Sequence, residues 1–265
     1  MKAVHRLPTP RKPNDMPKGL CALAVMTKAP RAGKVKTRLT PPLTAEEAAT
    51  LNTCFLRDTA AAIVNTARTG FVRGIAVYTP VGAEEDYSGI LPAEFQLVPQ
   101  RGEALGERMT LAFEDLFSLG FESVCLVGSD SPTLPPRAYT QAVQILSVPG
   151  DRLVLGPTDD GGYYLIGLKK SQRSLFEGIN WSTEHVLEQT IGKAEAMNLE
   201  SHLLTTWYDV DDGSSLRRLC TELFPGKESA SNFCPAPDTR AFLSELLKRE
   251  GRDRIWPQES PRAIT

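Results

Sequence analysis

The chain has 265 residues, a formal net charge of −2 and 41 % hydrophobic residues. That length holds one domain of about 200 residues with extensions, or two small ones, and can bury a core without staples. The charge balance excludes the basic stripe that a nucleic-acid partner needs, and no apolar run approaches the ~20 residues of a membrane span. A phosphate-bearing small ligand stays open, since a few local cations suffice for it.

Residues 1–19 combine basic residues and prolines without an apolar h-region, so they read as a disordered tail and not as a secretory signal. The five cysteines are odd in number, lack metal-ligand spacing, and in Cys21 and Cys125 sit in apolar runs. Free thiols of this kind fit a reducing compartment, and a cytoplasmic location is expected.

Order begins at Leu20. The run Leu20–Met26 is apolar on both faces and reads as a buried strand of a parallel sheet. Thr44 and Glu47 form a capping box ahead of a helix whose stripe passes through Ala48, Leu51, Phe55 and Ala62, with Gly70 as its stop. Strands follow at 71–78 and 95–98, then a helix at 105–117, a buried strand at 123–127, a helix opened by Pro135 and Pro136, and a strand at 153–155. Strands alternating with helices imply βαβ units and a sheet covered on both faces. After residue 156 the rhythm changes. Asp159-Asp-Gly-Gly162 is a turn, Tyr163–Leu168 is apolar, and a short helix over 183–191 has Ser182 as its expected N-cap. A strand at 202–205 and a helix at 214–223 close the domain, taken as 20–224. Residues 225–265 read as a loosely packed C-terminal extension with one short helix, at 239–249.

Chemistry gathers in three places. The first is the loop Lys28-Ala-Pro-Arg-Ala-Gly-Lys-Val-Lys-Thr-Arg-Leu39, beyond the carboxyl end of the first strand, where ligands of open α/β sheets bind. Gly33 permits close backbone approach, and Lys28, Arg31, Lys34, Lys36 and Arg38 can neutralise a diphosphate. The spacing is not that of a P-loop. The second is Gly128-Ser-Asp-Ser-Pro132, one step past a buried strand, where Asp130 either binds a hard cation or caps its own turn. The third is the late acids Asp159, Asp160, Asp209, Asp211 and Asp212. Any one could be a turn residue, but with Asp130 and the basic loop they describe a metal–diphosphate site economically. The histidines His5, His185 and His202 form no hydrolase triad with a G-x-S-x-G elbow, which is absent.

These motifs occur in an order that resembles a known family: Lys28-x-Pro-x-x-Gly-x-x-Lys-Thr-Arg-Leu39, Gln100-Arg-Gly-Glu-Ala-Leu-Gly-Glu-Arg-Met109, Gly128-Ser-Asp-Ser-Pro132, Gly156-Pro-Thr-Asp-Asp-Gly-Gly-Tyr-Tyr-Leu-Ile-Gly167, Trp181-Ser-Thr183 and Asp209-Val-Asp211. Over about residues 20–223 the chain is similar to the bacterial glycosyltransferase-like family of arsenosugar-biosynthesis type. That family resembles nucleotide-diphospho-sugar transferases of GT-A fold and, more distantly, guanylyltransferases. The resemblance implies a Rossmann-like three-layer αβα fold with a mostly parallel mixed sheet, a nucleotide-diphosphate sugar donor, a small-molecule acceptor, and Mg²⁺ or Mn²⁺. Lys28, Gly33, Lys36 and Arg38 would hold phosphates, and Gly102, Leu105 and Arg108 would line the nucleotide pocket. Asp130 would hold the metal, with Asp209 or Asp211 as second ligand, and Asp160 would be the general base. Glycosyl transfer is the expected activity. A nucleotidyltransferase joining a nucleoside monophosphate to a phosphorylated acceptor is the alternative, and a non-catalytic nucleotide sensor is a third reading.

Overall fold

A strand apolar on both faces must be covered on both faces. In the computed structural model, which describes residues 17–68, 70–225 and 236–255, the first apolar run becomes β1 (Cys21–Lys28) inside a seven-stranded sheet. The other strands are β2 (Val72–Thr79), β3 (Gln96–Pro99), β4 (Ser123–Val127), β5 (Arg152–Pro157), β6 (Tyr163–Leu168) and β7 (Glu200–Leu203). They stand in the order β3-β2-β1-β4-β6-β5-β7. Every pair is parallel except those made by β6, which runs against both β4 and β5. The architecture is the expected α/β, Rossmann-like mixed sheet. Only residues 17–19 of the expected N-terminal tail lie within the described residues.

The helices are α1 (Ala45–Ala67), α2 (Leu105–Ser118), α3 (Pro136–Ser147), α4 (Val186–Ala196), α5 (Gly213–Leu223), α6 (Pro237–Glu250) and α7 (Arg252–Ile255). Period-two alternation along β1 sorts them into layers. Leu23 and Val25 pack with Leu56 and Ile63 of α1 and with Tyr139 and Leu146 of α3. Ala22 and Ala24 face the opposite way, toward Phe113 and Leu116 of α2 and Ala194 of α4. Each fully buried Leu, Ile or Phe side chain contributes roughly 1.5–3 kcal/mol. Cys21, Cys54, Cys125 and Cys220 are buried free thiols. Among the described residues no helix is long and apolar enough to cross a membrane.

Three local expectations change. The apolar stretch after the Asp159-Asp160 turn is a full strand, β6, inserted between β4 and β5. Gly156 makes room for it, because a β-carbon there would stand 2.3 Å from the Tyr164 ring. The helix expected at 183–191 with Ser182 as cap starts instead at Val186 and runs to Ala196. Ser182 is left-handed (φ 63°), and the Leu187 N–H donates to the Gly161 carbonyl at 2.8 Å, which draws residues 182–185 onto the 161–162 turn.

The described part of the C-terminal extension is docked and not loose. Leu243 and Leu246 of α6 are buried in a third cluster with Leu51 and Phe55 of α1 and Leu219 of α5. The attachment is polar as well. Asp58, within α1, accepts the Asp238 and Thr239 N–H groups at 3.1 and 2.9 Å and so caps α6 from another element. Glu47 accepts the Thr44 N–H at 2.9 Å in the capping box and also pairs with Arg254 at 2.6 Å and Arg249 at 3.1 Å. Asp58→Ala removes the cap and lowers unfolding free energy by about 1–2 kcal/mol. Urea denaturation checks this, and a midpoint equal to wild type contradicts the docking.

Candidate functional site

The loop after β1 is shaped by backbone handedness. Gly33 (φ 69°) and Lys36 (φ 48°) are left-handed, and a short 3₁₀ turn, Thr37–Leu39, follows. No neighbour lies within 4 Å of a β-carbon built on Gly33, so conformation and not space calls for glycine there. Leu39 and Val35 are buried and anchor the loop. The consequence is that Lys36 points inward. Its ammonium stands 2.7 Å from Asp130 Oδ1, 2.9 Å from Asp211 Oδ1 and 2.8 Å from the Val210 carbonyl, and its side chain is 6 % exposed. It also lies 5.5 Å from the centroid of the Phe55 ring. Burial opposes the charge, but Asp130 and Asp211 outweigh it and hold the Lys36 pKa above its ordinary value.

Asp130 and the late acids are brought together by backbone stitching. Trp207 forms an isolated bridge with Thr158, its N–H donates to the Pro157 carbonyl at 2.9 Å, and the Asp159 N–H returns to the Trp207 carbonyl at 3.0 Å. One turn further, the Val210 N–H donates to the Asp130 carbonyl at 2.8 Å. Asp209 thereby comes under the Ser131 hydroxyl, which donates to its carboxylate. Burial, and then the neighbouring Asp130, pushes the Asp209 carboxyl up to about 7.

The remaining acids separate into roles. Asp159 pairs with Arg218, whose guanidinium lies 3.8 Å from the Tyr208 ring centroid. Asp212 caps α5, accepting the Ser215 N–H at 2.8 Å. Asp160 Oδ1 accepts the Thr158 hydroxyl at 2.6 Å and the Gly162 N–H at 3.1 Å. That fixes one oxygen in a turn, on a side chain that lines a cleft.

Two clefts meet at these carboxylates. One, of about 410 Å³, lies over the carboxyl ends of β1 and β2 and is lined by Lys28, Lys34, Lys36, Arg38, Arg108 and Gln100. The other, of about 590 Å³, lies beyond β4 and β6 and is lined by Asp160, Tyr163, Trp181, Glu184 and Asp209. Arg38, Leu105, Asp130 and Asp211 border both.

Of the residues singled out from sequence, Lys28, Arg38, Leu105, Arg108, Asp130, Asp160, Asp209 and Asp211 line one or both clefts. Lys36 is present but is turned into the acids. Gly33 and Gly102 (φ 88°) shape turns and do not line either cleft. Sequence reasoning gave no role to Gln100, whose Nε2 donates to the Thr27 and Val77 carbonyls at 3.3 and 2.8 Å and ties the ends of β1 and β2 together. Trp181, Tyr163 and Glu184 were also unassigned. Their motifs carried the signal, but the approach of the 181–184 loop to β6 is tertiary. Lys36→Met leaves Asp130 and Asp211 facing each other without compensation. It lowers stability by ~1–2 kcal/mol, less than the ~3–5 of a fully buried pair because both acids are partly solvated. The Lys36 contribution is complete below its ordinary pKa of 10.5 and is lost as pH rises through the raised folded value, so the gap closes on the alkaline side. Urea titrations across pH check both, and equal stability at neutral pH contradicts them.

No curated protein matches the chain. A family model described as "Uncharacterized protein conserved in bacteria (DUF2064)" matches residues 62–183. The crystal structure of a "putative nucleotide-diphospho-sugar transferase" from Desulfovibrio desulfuricans G20 is 30% identical, with a TM-score of 0.74, over 87% of this chain and 97% of that one. CMP:2-keto-3-deoxy-manno-octonic acid synthetase complexed with CTP is a remote likeness, 10% identical with a TM-score of 0.48 over 86% of this chain and 100% of that one. The bifunctional IspDF from Campylobacter jejuni is equally remote, 10% identical with a TM-score of 0.48 over 75% of this chain and 54% of that one. By its identity and near-complete coverage of the first of these, the chain belongs to the same family as the Desulfovibrio desulfuricans protein and shares its nucleotide-sugar-transferase-like fold.

Proposed function

We propose that the chain transfers a glycosyl group from a nucleotide-diphosphate sugar to a hydroxyl of a small acceptor, with one Mg²⁺ or Mn²⁺ at the shared carboxylates. The observation that carries this reading is the meeting of a basic and an acidic cleft at Asp130 and Asp211. The family relationship to a protein named as a putative nucleotide-diphospho-sugar transferase supports it.

The donor set fits a hard cation. Asp130, Asp209 and Asp211 offer oxygen only, and Asp130 and Asp211 alone already outnumber the one ammonium of Lys36. Among the described residues no three acidic, histidine or cysteine side chains form a ready-made metal cage. Magnesium sites of this type need none, since one or two carboxylates are completed by water and substrate phosphates. A cation held there supplies positive charge opposite the departing diphosphate.

The chain's own residues account for the rest. Lys28, Lys34, Arg38 and Arg108 hold the phosphates, the arginines through paired N–H donors. Leu105, exposed at the rim of both clefts, packs against the donor where it passes from one to the other. Asp160, with Oδ1 fixed by Thr158 and Gly162, presents Oδ2 to the acceptor and takes its hydroxyl proton. The acceptor oxygen bonds to the anomeric carbon while the bond from that carbon to the diphosphate oxygen breaks. The nucleoside diphosphate leaves with that electron pair.

Asp160→Asn keeps an oxygen for the Thr158 and Gly162 donors but cannot take a proton. Its kcat falls by about 10²–10⁴ with the donor KM little changed. Release of nucleoside diphosphate from a panel of nucleotide sugars is the readout, and an unchanged kcat removes the role. Pyrophosphate released from a nucleoside triphosphate, with no diphosphate released from any sugar donor, replaces glycosyl transfer by nucleotidyl transfer.

A further inference from the structure

The two clefts differ in more than the sign of their charge. Among the residues lining the larger one, Arg38 is the one cation, and it sits at the border with the basic cleft. Away from that border and from the carboxylates assigned to the cation, its charged lining residues are Asp160 and Glu184, beside the neutral polar Thr158, Ser182 and Thr183. The Glu184 side chain is 81% exposed, and among the described residues it makes no ion pair with a lysine or arginine, its near neighbour being the His185 imidazole at 3.8 Å. A phosphate or carboxylate entering here would meet the Asp160 and Glu184 carboxylates, and among the lining residues the one guanidinium is that of Arg38 at the border. Like charges set against each other in a binding site reject a ligand by several kcal/mol, which makes this arrangement a means of exclusion as well as of binding.

The same cleft has an apolar side built with unusual care for its backbone. Trp181 and Tyr163 line it, together with Met109 and Val186. Trp181 can lie where it does because residue 106, in the first turn of α2, is glycine. A β-carbon there would stand 2.8 Å from the indole Nε1 and 2.9 Å from the Phe176 carbonyl. The loop carrying Trp181 and Glu184 is held against the 161–162 turn in the same way. Gly161 is left-handed (φ 86°), and a β-carbon on it would fall 2.0 Å from the Glu184 carbonyl oxygen, a backbone atom that cannot step aside. Gly106 and Gly161 thus leave the room that the Trp181 indole and the Glu184 backbone occupy beside the same opening.

We infer that the larger cleft takes an uncharged, hydroxyl-bearing acceptor with an apolar or aromatic face, seated against Trp181 and Tyr163, and turns away phosphorylated ones. The inference rests on the glycosyl-transfer reading and narrows its acceptor. Trp181 binds the apolar face, as aromatic rings do for the C–H faces of polyols and for other rings. Asp160 and Glu184 accept hydrogen bonds from the hydroxyls, and their charge excludes anions. Both clefts can then be filled without the phosphates of the donor sliding into the acceptor's place.

The experiment uses the full chain with ¹⁵N-labelled tryptophan, the Trp181 indole resonance being assigned from Trp181→Phe. Matched probes are titrated in the presence and absence of UDP, GDP or CDP with Mg²⁺: methyl glucoside, glycerol and phenylethanol, each beside its phosphate monoester. At least one neutral member moves the Trp181 resonance, and its monoester binds at least about tenfold more weakly. In Glu184→Lys, an exposed change that leaves the fold intact, that preference narrows or reverses because the cleft gains a cation. A monoester that moves Trp181 as strongly as its neutral partner in the wild type overturns the inference, and so does a panel in which no neutral member moves it. The glycosyl-transfer reading fails separately, when no nucleotide sugar releases nucleoside diphosphate, whichever probe binds at Trp181.

Discussion

The Lys36 ammonium stands 2.7 Å from Asp130 and 2.9 Å from Asp211, with the Val210 carbonyl accepting its third proton at 2.8 Å. Those partners come from the loop after β4 and from a segment 175 residues later in the chain than Lys36. Without a cation between them the two carboxylates would repel one another, against the Val210 N–H to Asp130 carbonyl bond that ties the late segment to the loop after β4. The ammonium therefore has a structural duty that a phosphate-binding lysine does not. It links Asp130 and Asp211 while leaving two carboxylates against one ammonium. A site that is assembled yet undercompensated is suited to receive a cation and a polyanion together.

The sheet supplies the frame on which that pair of charges can form. β1 and β4 are parallel neighbours, so the loops that follow them leave from the same edge. β6 then enters antiparallel beside β4 and turns the 158–162 segment toward that edge. Asp160 arrives from β5 on one side of Asp130, and the basic loop arrives from β1 on the other. Two clefts with a common acidic wall follow from this one reversal of strand direction.

Much of this was legible in the sequence. The runs at 20–26 and 123–127 are apolar at nearly every position and became β1 and β4, and Asp130, three residues past the second, lines both clefts at the carboxyl edge as its place in the motif predicts. The Thr44–Glu47 capping box was local and formed as read. What escaped was carried by contacts between distant residues. Lys36 looks like its neighbouring loop cations, and only a left-handed backbone at the residue itself turns it inward. The cap of α6 is Asp58, 181 residues before Thr239, so nothing near 237–250 announces a docked helix. Ser182 has the composition of an N-cap, but the pull of Gly161 on Leu187 moves the start of α4 to Val186.

Binding of a nucleoside diphosphate, measured by thermal shift with and without Mg²⁺ or Mn²⁺ in wild type and Asp130→Ala, tests the account most directly. A ligand present at 100 times its Kd adds about 2.7 kcal/mol of stability, which is well above the resolution of the method. The account predicts that UDP, GDP or CDP raises the wild-type midpoint when the metal is present, raises it little without the metal, and leaves Asp130→Ala unmoved in either case. A shift of equal size without metal, or one that survives in Asp130→Ala, contradicts a donor site built on these carboxylates.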